Sequence, residues 1–418
     1  MACRRILEPE YKRVEFQYGV VLVRTKRFQG IMDRLGKRRI SKPGAWILLY
    51  LMPVAGAIAL YLFLTQLGIL LSPRGAEVAS YVRTLSPLGN IGLPGINPYL
   101  PIADGWIALF AAIIVHEGAH GVVARSLGLP VKSAGLLFFL IVPIGAFVEV
   151  DEDALKVARA RDSGRVLAAG AGINLIVGVI CLLLLFGIVG AMKPAADGIA
   201  VFSVNPGYPA DKVGIRPGDF ITAVNGVHYD DPQAVLNSSW YRIGNNITVT
   251  VWRDGVTRDY NLTIGKLEEN NTLTGKISYV PFIGVGDRGY ADLQQLVTSY
   301  TSSFLTRPSL YICIPTLPIC QGVVPFSDSL APFYSSSYGH FIAPLANLLY
   351  WIFFLNFNLS IFNSLPIYPL DGGQAFGVAV RAIGGGRLGA KSVNVVTSAV
   401  SIAVVAVLLT VIIGPYLL

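Results

Sequence analysis

Five long apolar runs dominate the pattern of hydrophobic and polar positions along this chain. Each run is close to the ~20 residues that an α-helix needs to cross the hydrocarbon core of a bilayer. The predicted spans are residues 45–71, 105–124, 166–192, 342–364 and 393–416. The pattern therefore predicts a polytopic α-helical membrane protein with about five to six transmembrane helices.

Composition and charge agree with this prediction. The chain is 53% hydrophobic and 14% charged, which excludes an ordinary soluble domain. Its basic residues cluster before the first run, between the second and third, and between the fourth and fifth. The positive-inside rule places these regions and the N-terminus in the cytosol. The net charge of +8 follows mostly from this bias, and it favours attraction to anionic headgroups of the lipid bilayer. No pattern in the sequence indicates nucleic-acid binding.

The chain divides into five segments. We expect a basic cytosolic region, the first membrane part, an extracytosolic domain, an extracytosolic loop region and the second membrane part. The first region is not expected to be a cleaved signal peptide, because roughly forty polar residues precede the first apolar run. In chain order the bounds are 1–44, 45–193, 197–266, 267–340 and 341–418. Cys313 and Cys320 fall in the loop region, where an oxidising exterior would permit a disulfide. The sequence leaves that pairing open.

Residues 199–264 alternate apolar and polar positions in short runs that predict strands, most clearly at 200–204, 220–224 and 247–252, with turn signals at Asn225-Gly226 and Asp254-Gly255. Residues 204–226 resemble the core of PDZ domains from membrane-associated proteases. The resemblance implies a mixed α/β domain that binds peptide ends or extended segments by strand addition, and so filters or gates substrates. The alternative is a spacer that folds without binding anything.

Two histidines and a carboxylate interrupt the second apolar run. His116 and His120 are four residues apart, so on a helix they share a face and can share one zinc ion. Glu117 lies beside them, where it can act as general base on an activated water. Ionisable groups at membrane depth are costly, which favours a functional site. The alternative is a helix whose histidines are satisfied by neighbouring groups.

A catalytic zinc usually takes three protein ligands. The remaining histidines, His228 and His340, lie on the outer side of the predicted topology, so the third ligand should be a carboxylate near the cytosolic half of the bilayer. The candidates are Asp371, Glu149, Asp151 and Asp153. Asp371 is favoured because prolines before it interrupt the helix and glycines after it permit close approach of the backbone to another group. Such irregular backbone at membrane depth must be buried in protein or line a wet cavity.

These motifs resemble the site-2 protease family of intramembrane zinc metalloproteases. The matching segments are His-Glu-x-x-His at 116–120, Asn-x-x-Pro-x-x-x-Leu-Asp-Gly at 363–372, Pro-Gly-Ile-Asn-Pro at 94–98 and the apolar segment 143–148. The resemblance implies that His116, His120 and Asp371 bind one Zn²⁺ and that Glu117 is the catalytic acid and base.

Two asparagines are candidate substrate-binding residues. Asn174 ends a Gly-x-x-x-Asn element at 170–174, whose Asn the resemblance assigns to substrate binding, although Ala171 replaces the usual proline. Asn363 begins the Asp371 motif. Either could bond a substrate carbonyl, and the alternative for each is a hydrogen bond between helices. Residues 138–142 and 147–150 are expected to form a hairpin that offers an edge strand to an extended substrate, or else a buried strand pair.

Two classes of function remain. One is a zinc metalloprotease that cleaves transmembrane protein substrates, with membrane-tethered regulators implied by the resemblance. The other is a non-catalytic membrane receptor or chaperone that uses the metal for structure only. Glu117 argues against the second, because a structural site needs the histidines but no base beside them.

Overall fold

The computed structural model describes most of the chain. The described residues are 14–17, 20–25, 28–139, 142–270, 277–312, 331–339, 341–385, 387 and 389–417. Cys313, Cys320 and His340 lie outside them, so the predicted disulfide stays a prediction. Two compact units form, one of Met1–Leu182 with Trp351–Leu418 and one of Leu183–Tyr350.

Helices and strands follow one another in this order. Before the second unit these are β1 (Val14–Gln17), β2 (Val20–Thr25), α1 (Gln29–Gly36), α2 (Ser41–Leu70), α3 (Gly75–Arg83), α4 (Ile102–Ser126), β3 (Val131–Phe139), β4 (Val142–Val150), α5 (Glu152–Val157) and α6 (Ala160–Gly190). The next are β5 (Met192–Pro194), β6 (Ile199–Val204), α7 (Pro209–Val213), β7 (Phe220–Val224), β8 (Val227–His228), α8 (Pro232–Leu236), β9 (Asn246–Arg253) and β10 (Val256–Thr263). The last are β11 (Gly265–Asn270), β12 (Ile277–Phe282), β13 (Val285–Arg288), α9 (Tyr290–Thr298), α10 (Tyr300–Thr306), β14 (Tyr334–Ser336), α11 (Ile342–Asn363), α12 (Asp371–Ile383) and α13 (Ala390–Leu417).

Among the described residues, five helices are long and apolar enough to cross a membrane: α2, α4, α6, α11 and α13. They confirm the predicted polytopic helical membrane protein. The largest difference from the predicted ends is at the start of α6, which begins at residue 160 rather than 166. The first turns of α6 are polar and include Arg161 and Asp162, so the helix begins before its apolar run.

Small residues let the helices of the first unit approach closely. A Cβ at Gly172 of α6 would lie 2.9 Å from the backbone of Leu48 in α2. One at Gly178 would lie 3.4 Å from the amide nitrogen of Phe357 in α11. Ser360 of α11 donates a 2.7 Å hydrogen bond to the carbonyl of Ala171 in α6. These contacts fix α6 between α2 and α11.

A four-stranded antiparallel sheet in the first unit has the order β1-β2-β3-β4. Strands β3 and β4 form the predicted hairpin, with Ala134 opposite Val148. Strand β4 lies at the edge of this sheet, because its other side pairs with no strand in the described ranges. Strands β1 and β2 were not predicted. Their signal was the alternation at Val14 and Phe16 and the β-branched run beginning at Val20.

The second unit contains a sheet of order β10-β9-β7-β6-β13, with β8 paired to β7. The predicted strands at 200–204, 220–224 and 247–252 are found as β6, β7 and β9. Both predicted turns occur, with positive φ at Asn225 (52°) and Asp254 (49°). Strand β13 comes after the predicted bound at residue 266 and pairs with β6, so later residues complete the sheet.

Candidate metal centre

Helix α4 places two imidazoles on one face in the interior of the first unit. His116 and His120 are only 6% and 9% exposed. Their Nε2 atoms lie 3.3 Å apart. The spacing of four residues produces this geometry, because residues i and i+4 are neighbours on one helix face.

Asp371 joins them from the first residue of α12. Its Oδ2 lies 3.1 Å from Nε2 of His116 and 3.2 Å from Nε2 of His120. The chain reaches this position through residues 364–370, which leave α11 and fold back on themselves. A Cβ at Gly372 would overlap the backbone around Leu365, so only glycine permits this close approach.

The three atoms fit a zinc ion. Ligand atoms about 2.0–2.1 Å from one ion at tetrahedral angles lie about 3.3 Å from one another. The observed separations of 3.1, 3.2 and 3.3 Å match that triangle. Two imidazole nitrogens and one carboxylate oxygen are also a donor set that zinc prefers, and they leave a fourth position for water or substrate. His116, His120 and Asp371 are the one such group among the described residues.

Both imidazoles are oriented by groups on α6. Nδ1 of His120 lies 2.7 Å from the carbonyl oxygen of Val166, so it donates its proton there and leaves Nε2 free for a metal. Nδ1 of His116 lies 3.2 Å from the side-chain amide of Asn174. With Nε2 bound to metal, Nδ1 carries the proton and needs an acceptor. The buried Oδ1 of Asn174 has no other partner among the described residues, so a 180° rotation of the amide supplies one.

Gly170 provides the space that the imidazoles occupy. A Cβ there would lie 2.5 Å from Nε2 of His116 and still closer to Nε2 of His120. This finding gives the Gly-x-x-x-Asn element a physical basis, because its Gly and its Asn both contact the histidine pair. No pattern in the sequence predicts that Gly170 lies against the two imidazoles.

Replacing Gly170 by Ala is therefore expected to displace the imidazoles and to lower zinc occupancy strongly. The helix itself should persist, since alanine is favoured over glycine by about 1 kcal/mol in a helix interior. Zinc per chain, measured by elemental analysis, tests this expectation. Gly187→Ala in the same helix is the control, because a Cβ there meets nothing within 4 Å. Full occupancy in Gly170→Ala would contradict the assignment.

Glu117 is held beside the edge strand β4. The backbone amide of Val148 donates a 2.9 Å hydrogen bond to Oε2 of Glu117. Oε1 has no hydrogen-bond partner among the described residues. One carboxylate oxygen is thus fixed by the sheet, and the other is available to exchange a proton.

The alternative ligands are engaged elsewhere. Glu149 accepts hydrogen bonds from Arg24 (2.6 Å) and Ser133 (2.7 Å). Asp151 caps α5, and the hydrogen bond from the amide of Ala154 lowers the pKa of its carboxyl group. Asp153 lies 3.7 Å from Lys156. The structure brings only Asp371, among the four candidates, to the histidine pair.

Arg24 holds the strand that contacts Glu117, a role that the sequence did not reveal. Its guanidinium bonds Glu149 and Glu15 and lies 5.6 Å from the ring centroid of Phe147. Glu149 and Phe147 are the two neighbours of Val148. Arg24 therefore supports β4 on both sides of the amide that binds Glu117.

The structure separates the two candidate asparagines. Asn174 is fully buried and contacts His116. Asn363 is half-buried at the end of α11, and its side chain forms no hydrogen bond with another described residue. Among the described residues, no hydrogen bond joins Asn363 to the histidine pair or to Asp371.

Two buried imidazoles on a membrane-crossing helix, with a carboxylate close enough to share a metal ion with them, are the arrangement expected of a membrane-embedded metalloenzyme. Residues 105–408 match Peptidase family M50. Because the match covers more than half of the chain, the protein belongs to this family. The resemblance to site-2 proteases that the motifs predicted is thereby confirmed.

Several curated proteins are similar to parts of the chain. "Uncharacterized protein MJ0971" of Methanocaldococcus jannaschii is 27% identical over 277 residues, covering 66% of this chain and 56% of that protein. "Putative zinc metalloprotease all3971" of Nostoc is 25% identical over 320 residues, covering 67% and 86%. "Probable periplasmic serine endoprotease DegP-like" of Rhizobium meliloti is 36% identical over 109 residues, covering 25% and 21%. The chain thus spans about half the length of the first of these relatives.

Proposed function

We propose that this protein is an intramembrane zinc metalloprotease that hydrolyses peptide bonds within or near transmembrane helices of membrane-tethered regulatory proteins. The observation that carries the proposal is the triangle of His116, His120 and Asp371 with Glu117 beside it on the same helix. Relatives named as zinc metalloproteases support the same chemistry.

The residues of the site have distinct tasks in this proposal. When bound, zinc supplies a Lewis acid that acidifies water and polarises the scissile carbonyl. Glu117 takes the proton of the attacking water at Oε1 and delivers it to the leaving amine. Val166 and Asn174 hold the imidazoles in the orientation that the reaction needs. A substrate carbonyl is a further proposed partner of Asn174 or Asn363.

Strand β4 is the proposed binding edge for the substrate. A transmembrane helix hides its scissile carbonyls in its own hydrogen bonds, so it must unwind before cleavage. An extended segment could then pair with the free edge of β4. The amide of Val148 at that edge already contacts Glu117, so a segment paired there would pass directly beside the base.

The topology of the proposal follows the distribution of basic residues. The N-terminus lies in the cytosol, and residues 197–340 lie outside it. His120 precedes Arg125, which flanks the second span, by five residues, or about 7.5 Å of helix rise. The active site accordingly belongs in the cytosolic half of the membrane.

Cleavage of a purified single-span reporter in detergent tests the proposed activity. The wild-type protein should cut the reporter, a zinc chelator should stop the reaction, and added Zn²⁺ should restore it. The competing function is a non-catalytic receptor or chaperone with a structural metal. A zinc-loaded protein that binds the reporter but never cuts it would establish that alternative.

The PDZ-like domain predicted at residues 197–266 of the second unit is the proposed substrate filter, which binds peptide ends or extended segments together with strand β13 that completes its sheet. A cavity of about 460 Å³ lies there, lined by Val235 and Leu236 of α8 and by Val285 and Asp287 of β13. Strand β13 pairs with β6 on one side and with no described strand on the other. Asp287 is the one charged residue among those that line the cavity. An extended segment with apolar side chains fits this groove.

A charge in the groove should weaken the filter without touching the metal centre. Val235→Glu is expected to change cleavage of a reporter that keeps its extracytosolic segment, because a buried carboxylate disfavours apolar side chains. Cleavage of a reporter without that segment should stay unchanged. Val256→Glu is the control, since Val256 is exposed on β10. Equal cleavage of the longer reporter by both variants would contradict the filter role.

A further inference from the structure

A strongly basic surface lies where α1 meets α2. Five basic side chains are exposed within residues 34–42: Arg34, Lys37, Arg38, Arg39 and Lys42. We refer to these five residues as the basic corner. None of them forms an ion pair with a residue that the structure describes. The neighbouring carboxylate of Asp33 is occupied by Arg125, with 3.0 Å between Oδ1 and Nε. No carboxylate of the described residues therefore compensates the positive charge of the corner.

Large apolar side chains are exposed next to these charges. These are Phe28 just before α1, Ile31 and Leu35 within α1, and Ile40 in the connection to α2, and they are between 38% and 72% exposed. The first membrane-crossing helix begins directly afterwards, at Ser41. Apolar and basic side chains mixed at the end of a span suit the bilayer interface, where the first enter the acyl region and the second meet headgroups.

Helix α1 also packs against α4, the helix that carries the two histidines. The sulfur of Met32 fills the space over Gly121, where a Cβ would overlap it. A Cβ at Gly36 would lie 3.1 Å from the carbonyl oxygen of Val122. Gly121 follows His120 directly in the sequence. The position of α1 is thus tied to the last turns of α4.

The same helix forms one wall of a cavity of about 750 Å³ that reaches Glu117. Ile31 and Leu35 line this cavity from α1, and Arg38 lines it from the basic corner. Val148 of the edge strand β4 also lines this cavity. The space beside Glu117 is consequently bounded by α1 and by the segment directly after it, which carries most of the basic corner.

We propose that the basic corner binds anionic lipid headgroups and that the bound lipid holds α1 in place as the wall of this cavity. The ligand is a phospholipid with a net negative headgroup charge, since zwitterionic headgroups leave the charge of the corner unbalanced. The binding site stands independently of the enzymatic activity. Its effect on cleavage rests on the proposed function.

Native mass spectrometry of the full chain in neutral detergent measures the binding. Short-chain phosphatidylglycerol should bind at least about ten-fold more tightly than phosphatidylcholine, because each basic residue near an anionic surface contributes roughly five-fold. A variant with Arg34, Lys37, Arg38 and Arg39 changed to Gln should lose this preference. The matched control changes four exposed basic residues of the second unit to Gln and should keep it: Lys212, Arg216, Arg242 and Arg258.

Three outcomes would overturn the site: equal loss in both variants, no preference in the wild type, or displacement of phosphatidylglycerol by glycerol phosphate at similar concentration. The last would indicate a phosphate site rather than a lipid site. Lys37→Glu alone, at an exposed position, should reduce the preference several-fold and provides the test if the multiple variant fails to fold.

Reporter cleavage in nanodiscs tests the consequence. The wild-type rate should fall several-fold when phosphatidylglycerol is replaced by phosphatidylcholine, and the basic-corner variant should be insensitive to the change. Lipid binding without any effect on cleavage would refute the link to the cavity and leave the binding site standing. Absence of cleavage in every lipid would refute the proposed function instead.

Discussion

Replacing Glu117 by Gln is expected to lower the rate of peptide-bond hydrolysis by about 10²–10⁴-fold, the usual contribution of a positioned acid and base. Gln keeps the size of the side chain, and its amide oxygen can still accept the bond from the Val148 amide. It cannot take a proton from water at neutral pH. Single-turnover cleavage of the reporter measures the effect on chemistry separately from product release.

Zinc content distinguishes this result from a damaged site. The Glu117→Gln protein should retain the zinc of the wild type, because the carboxylate is not among the three atoms of the triangle. Turnover equal to that of the wild type would remove Glu117 from its role as base. Loss of zinc together with activity would instead make it a ligand.

Replacing Asp371 by Ala is expected to weaken zinc binding by more than about 100-fold, because even the loss of a group that only orients a metal ligand costs roughly 10–100-fold. Two neutral imidazoles would remain, and the ion would have lost its one anionic ligand. Titration with Zn²⁺ under a competing chelator measures the affinity. Cleavage should disappear at zinc concentrations that saturate the wild type.

Asp153→Ala is the matched control for this variant. Asp153 was also a candidate ligand, but its side chain is 91% exposed and lies near Lys156. Its removal should leave zinc affinity unchanged. Undiminished zinc affinity in Asp371→Ala would exclude Asp371 as a ligand and make Glu149 the next candidate.

The membrane helices and the histidine pair could be predicted because their signals are local. A run of about twenty apolar residues indicates a span by itself, and a spacing of four places His116 and His120 on one helix face. Asp371 lies 251 positions after His120. It could be favoured only through the proline and glycine pattern around it and through the family resemblance.

Other parts of the site could not be predicted because they depend on contacts between distant segments. Arg24 and Glu149 are 125 positions apart, and neither carries a motif. The carbonyl of Val166 that orients His120 is a backbone atom, which any residue would supply. The fit of Gly170 against both imidazoles follows from the packing of α6 on α4, and sequence periodicity does not determine that packing.

The position of the cleaved bond shows whether this protein hydrolyses peptide bonds within the membrane. A single-span reporter is incubated with the zinc-loaded wild-type protein, and the new termini of both products are identified by mass spectrometry. We expect a cut inside or at the border of the membrane segment, slowed by about 10²-fold or more when Glu117 is replaced by Gln and absent when zinc is removed. A cut only in the soluble part of the reporter, or the same termini formed at the wild-type rate by the Glu117→Gln protein, would contradict intramembrane cleavage by this site.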